Sequence, residues 1–379
     1  MSIICHELKK IFHWKKVLIL TGICLIIFQM FIQFYFIYFP NGSGSYDYDI
    51  SVQMIKDYGN TMEVEEYDHF KGLYQQNVEL ANQYIQSTQR FARAGITSFP
   101  QLQIEIEADP NSPVLINLWK LGYTDQYDLF MVLQTMDMMM ESYERYFTNY
   151  YLNITPSQEQ RLQEVQDQQG YAPIFPEQVF RNYQYLIYYT AVVILISIMF
   201  MITPIFISDR RKKLHYIQYT SKLGRKLFTS KLWASLIAVF LIITVELGCI
   251  FVLYAGNKTD MFFASNVNSV FNYHVFWYDI TFFQYILMTV AVIYILGLFI
   301  TTIVAFLSSV TVHYITILGI LVPLAYLMFG VGLTYLLEWL SDTRLPQWFQ
   351  PLCFIGLVAV GILIIMFRWR KEKVADIVG

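Results

Sequence analysis

Glu246 stands inside an apolar run, residues 232–254, eight positions before the end of the run. A carboxylate at that depth in a hydrocarbon layer costs roughly 2.5–3.5 kcal/mol on insertion scales, so it must face a partner group or a cavity. It either lines a pathway or ties helices together as a neutral or hydrogen-bonded group. Gln29 and Gln33, one helical turn apart in another apolar run, can hydrogen-bond a neighbouring helix or a second copy of the chain. No catalytic constellation is legible. There is no G-x-x-x-x-G-K-[ST] phosphate cradle, no HExxH, no nucleophile elbow and no pair of catalytic carboxylates in a recognisable frame. The cysteines, Cys5, Cys24, Cys249 and Cys353, form no CxxC or Cys/His cluster, so no metal site is expected. None falls between residues 40 and 184, which rules out a disulfide framework there. They read as small apolar residues in or near the apolar runs.

A second group is basic and follows Asp209. It comprises Arg210, Arg211, Lys212, Lys213, Lys222, Arg225, Lys226 and Lys231. Leu214 and Ile217 can share one face of a short helix within it. Thr220 can cap or break that helix, and Gly224 permits a tight reversal. Arg225 then opens an amphipathic segment that runs through Lys231 into the next apolar run. Two readings are open: the charges only set topology on a solvated loop, or the loop docks on a motor subunit.

The elements that must carry these residues are membrane spans. The chain is 56% hydrophobic and 15% charged, against about 25% charged for a soluble domain. The excess is gathered in runs at 17–39, 185–207, 232–254, 282–306, 312–337 and 351–367. A helix needs about 20 apolar residues to cross a bilayer. The first run is too long for a signal-peptide core, and Phe39-Pro40 offers no small-residue cleavage site, so it reads as a retained anchor. The fold class expected is an all-α polytopic membrane protein with six transmembrane helices, an amino-terminal interfacial helix at 1–16 and a mainly helical extracytoplasmic domain at 40–184.

Lys and Arg near span ends set orientation. Lys9, Lys10, Lys15 and Lys16, the eight basic residues of the loop 208–231, and Arg368, Arg370, Lys371 and Lys373 all fall on one side. That side is expected to be the cytoplasm, with both termini, the turn 307–311 and the tail 368–379 there. Segment 40–184 holds 20 acidic and 8 basic residues and is expected outside, with the loops 255–281 and 338–350. In the interfacial helix, Ile3, Ile4, Leu8, Ile11 and Phe12 form an apolar face, while His6, Glu7, Lys9, Lys10 and His13 take the other. Met131, Met136, Met138, Met139 and Met140 in the outer domain are either a soft patch for an apolar ligand or packed core.

The opening ELKKIFHWKKVLIL, from Glu7, resembles the start of permease subunits of the bacterial type 2 ABC exporter family, in which a short amphipathic helix leads into span one. The basic loop resembles the same family. Asp209 matches its acidic residue just past span two, Thr220 its Thr or Ser before a Gly-Arg pair, Gly224 and Arg225 that pair, and Lys231 its Lys entering span three. Asp209 stands where Glu is commoner, and no Pro follows Thr220. The resemblance covers the membrane parts and leaves out residues 46–183.

It implies a transport subunit, with no enzymatic activity of its own, that exports an amphipathic peptide, lipid or antimicrobial compound across a bacterial cell membrane. The implied partners are a separate ABC ATPase subunit carrying ATP and Mg, a second permease copy or homologous permease, and membrane lipid, with no nucleic acid. No cofactor belongs to this chain. The alternative is a membrane-bound receptor or sensor whose outer domain binds a ligand or partner protein.

Overall fold

Six helices are long and apolar enough to cross a membrane: Trp14–Ile32, Glu177–Arg211, Leu227–Asn257, Phe282–Val310, Tyr314–Glu338 and Phe349–Glu372, termed spans one to six. They are seen in a computed structural model that describes residues 2–40, 44–108, 125–145, 155–167, 171–211 and 224–374. We read the chain as a multi-pass membrane protein. It divides into two compact units, one holding the spans and the other holding Pro40–Arg181 together with Thr259–Phe282.

In the span unit, span two is central. Leu186, Ala191, Ile194, Leu195, Ile198 and Ile202 along it are buried, whereas Leu18 and Ile26 of span one, Val322 of span five and Leu363 of span six are exposed. Lipid tails are as apolar as leucine, so such exposure carries no hydrophobic cost in a bilayer. Spans two, three and four approach closely at Gly297. A Cβ there would sit 2.7 Å from the Ile243 Cδ1 and 3.0 Å from the Ile198 Cδ1, so both side chains would have to shift to admit it.

Span two breaks at Pro204, which separates the helix Glu177–Ile202 from Pro204–Arg211. Proline cannot donate to the helix ladder, but it suits a first helical position, where the N–H has no partner anyway. The next orphans are capped from span four. Ser308 Oγ donates to the Thr203 carbonyl at 2.7 Å and accepts from the Phe206 and Ile207 N–H groups at 3.2 and 3.3 Å. One hydroxyl thus satisfies three backbone groups that the break would leave bare.

Spans one and five also loosen. Span one passes through a π-helical turn at Phe28–Ile32, closed by Gln33 N–H donating to the Phe28 carbonyl at 2.8 Å. Span five contains π-helical turns at Met328–Gly332 and Thr334–Glu338, beyond Pro323. At Gly332 a Cβ would lie 2.5 Å from Met328 Sδ, so that thioether would have to move aside. The Phe329 carbonyl in the first of these turns accepts from Tyr188 Oη of span two at 2.5 Å.

In the second unit, helix Val64–Ser87 begins with a capping box between Glu63 and Glu66. It packs against Asp125–Arg145, and strands β1 (Thr61–Glu63) and β2 (Tyr171–Pro173) pair antiparallel with Met62 opposite Ala172. One core gathers Met54, Met62, Phe70, Met136, Met139 and Ile174 with Val270, Phe271 and Val275, and a second gathers Val78, Ile85, Phe91, Phe99, Phe130 and Leu133. The sequence separated 255–281 from 40–184 as two loops. The structure folds Thr259–Phe282 into the same unit as Pro40–Arg181. Arg161 fastens them, donating through Nε to the Phe276 carbonyl at 3.0 Å and pairing with Asp279 at 2.6 Å. Among the expected methionine patch, Met136 and Met139 are core, Met140 packs on that core and Met138 is exposed, so the five do not form one apolar surface.

Candidate functional site

Two places in the span unit combine polar groups with a defined geometry. The first lies where the basic loop meets the helices. Asp209 belongs to Pro204–Arg211 and Lys231 to Gly224–Tyr254, so the residues flanking 212–223 are helical and not part of a loop. Lys231 Nζ and Asp209 Oδ2 are 2.5 Å apart, both nearly inaccessible. The same ammonium donates to the Ile205 carbonyl at 2.9 Å and lies 5.2 Å from the centre of the Phe206 ring. The break at Pro204, held by Ser308, sets the angle at which Asp209 reaches Lys231. The pair thereby ties the helix Pro204–Arg211 to the helix Gly224–Tyr254.

The amino-terminal helix Ser2–Ile11 completes this place by packing against Gly224–Tyr254 and Pro204–Arg211. That packing corrects one expectation. Glu7, assigned from its spacing to the polar face, is 3% exposed and buried beside Ile11. Its Oε1 accepts from Lys10 at 2.7 Å, and Oε2 has no partner among the described residues. Across the bundle end, Arg368 donates to Ser309 Oγ at 2.8 Å and to its carbonyl at 3.0 Å, tying span six to span four.

The second place is a cavity of about 690 Å³ walled by spans one, two and three. Phe28 and Ile32 of the π-helical turn, Val193 and Met201, and Leu241, Val245 and Leu253 supply an almost wholly apolar lining. Glu246 is set in this wall. Its Oε1 lies 3.9 Å from the Cys24 thiol, which in turn is 3.6 Å from the Ser197 hydroxyl. Oε2 is buried without a partner among the described residues. Thr21 and Thr190 also line the cavity, but each hydroxyl donates to its own helix, to Val17 O at 3.0 Å and Leu186 O at 2.7 Å. Among the described residues no Lys, Arg or His lines it.

No known protein family, curated protein or solved structure matches the chain.

Of the residues singled out from the sequence, the structure brings together Asp209 and Lys231. Gly224 and Arg225 open the helix that carries Lys231. Leu214, Ile217 and Thr220 lie outside the described residues. Glu246 faces the cavity, away from the junction. Gln29 is exposed and Gln33 half-buried on span one, and neither lines the cavity. Sequence reasoning missed Ser308, Ser197 and Cys24. A serine in an apolar run carries no signal of its own, and Cys24 was read as a small apolar residue when its thiol donates to a buried carboxylate. Among the described residues, no group of three or more His, Cys, Asp or Glu side chains is placed to hold a metal ion.

Proposed function

We propose that the chain is the membrane subunit of an ABC exporter in a bacterial cell membrane, driven by a separate ATPase subunit that carries ATP and Mg. Two copies, or this chain and a homologous permease, form the transport unit, and the cargo is an amphipathic peptide, lipid or antimicrobial compound. Both termini and the basic loop lie in the cytoplasm, and residues 40–184 lie outside. The observation that carries the reading is the buried Asp209–Lys231 pair. These two residues bracket the loop and match the exporter pattern, and their pairing makes the ends of the loop one rigid base. A partner that docks on 212–223 then moves spans two and three together, because neither helix end can yield alone. Apolar contacts from Leu214 and Ile217 hold the partner, and the surrounding lysines and arginines steer its approach.

The orientation is tested by cysteine labelling in a chain whose four native cysteines are replaced by alanine. A membrane-impermeant maleimide added to intact cells is expected to label Ser157→Cys and to miss Ser221→Cys. The reverse pattern places the loop outside and removes the docking reading.

A further inference from the structure

The cavity beside Glu246 falls within the range of about 300–1,000 Å³ typical of ligand sites. We propose that it binds a membrane-borne amphiphile with one cationic amine head, the ammonium pairing with Glu246 and the hydrocarbon lying along the wall of spans one, two and three.

Charge complementarity selects this occupant. A carboxylate in an apolar wall is costly unless it meets a partner. Here the carboxylate's partners are the Cys24 thiol, a weak donor, and the Ser197 hydroxyl, while Oε2 makes no hydrogen bond among the described residues. The two threonine hydroxyls in the wall are already committed to their own helices. Among the described residues no cation lines the cavity, so a cationic partner for Glu246 would come with a ligand. An anionic head would repel the carboxylate. A neutral hydroxyl would supply a donor and leave the charge uncompensated.

The way in is lateral. Leu25, Leu241, Val245 and Leu253 at the cavity are all more than two-fifths exposed, so it is open between spans one and three on the side that faces acyl chains. The π-helical turn of span one forms part of the wall with Phe28 and Ile32, and such turns often mark functional positions in helices. The site does not rest on the exporter reading, since binding at Glu246 needs no ATPase. If that reading holds, the site gives the chemical class of its cargo.

The test uses the full chain in phosphatidylcholine nanodiscs and a diazirine-bearing octadecylamine as photoprobe. Cross-links are expected in the peptides of spans one and three, displaced by unlabelled octadecylamine and at least about tenfold less well by octadecanol or stearate. Glu246→Gln is expected to weaken capture about tenfold or more. Cys249→Trp, which fills the cavity and leaves the carboxylate in place, is expected to abolish it. Melting temperature and monodispersity identify folded variants, and the cavity-filling variant keeps the test decisive if Glu246→Gln does not fold. Equal displacement by the alcohol, or unchanged capture by either folded variant, overturns the proposal. Adding phosphatidylethanolamine separates the two sources of such a head group. Competition assigns the bilayer's own amine lipid to the site, and its absence assigns a foreign amphiphile.

Discussion

Lys231 Nζ and Asp209 Oδ2 meet at 2.5 Å across 22 residues of chain, with the lysine 2% and the aspartate 7% exposed. Removing one member of such a pair leaves an uncompensated buried charge and costs about 3–5 kcal/mol, whereas replacing both by apolar residues is often near neutral. Asp209→Ala and Lys231→Ala should each destabilise the detergent-solubilised chain by that order. Asp209→Ala combined with Lys231→Ala should cost far less than the sum of the two single changes, because no charge is then left buried alone. A double-mutant cycle read by thermal unfolding measures this, and additive losses would mean that the pair does not clamp the loop ends.

Ser308→Ala removes the hydroxyl shared by Thr203, Phe206 and Ile207. Leaving buried backbone groups unsatisfied costs about 1–3 kcal/mol. Hydrogen exchange at Phe206 and Ile207 should accelerate and the melting temperature should drop. Unchanged exchange at these amides would show that Pro204–Arg211 is held by other contacts.

The second unit carries a pH dependence. The Asp47 carboxyl is pushed up to about 7, first by burial and then by the charge of Glu177, and is only partly drawn back by a hydrogen bond from the Gln178 backbone. Because the folded value lies above the unfolded value of 3.8, the neutral form contributes stability that is full below 3.8 and lost as pH rises through about 7. Unfolding of the full chain should therefore become easier across that window, and Asp47→Asn should flatten the trend. A stability that climbs over the same range in the native chain, and is unaltered by the substitution, would contradict this assignment.

The membrane architecture was legible because runs of apolar residues long enough to span a bilayer have few other uses. Glu246 was legible as a charge at a costly position, and Asp209 and Lys231 as charged residues flanking the basic loop. Their partners were not, because pairing across 22 residues, or between Cys24 and Glu246 on different helices, leaves no period in the sequence. Glu7 misled for a related reason. A helical wheel shows which residues share a face, but not that a protein surface would cover the polar edge. The joining of Thr259–Phe282 to the second unit depends on contacts such as Arg161 with Asp279, which local pattern cannot foresee.

The exporter account stands on the loop between the clamped ends, and its most direct test is ATPase coupling. The tagged chain is purified from the cells that make it and reconstituted in liposomes, beside a Leu214→Asp, Ile217→Asp variant. The account predicts that an ATPase with a phosphate-cradle motif copurifies with the native chain and hydrolyses ATP faster in its presence. The double aspartate variant should insert normally and lose both the ATPase and the stimulation. A variant that retains its ATPase and the stimulation, or a native chain that brings none, would contradict it.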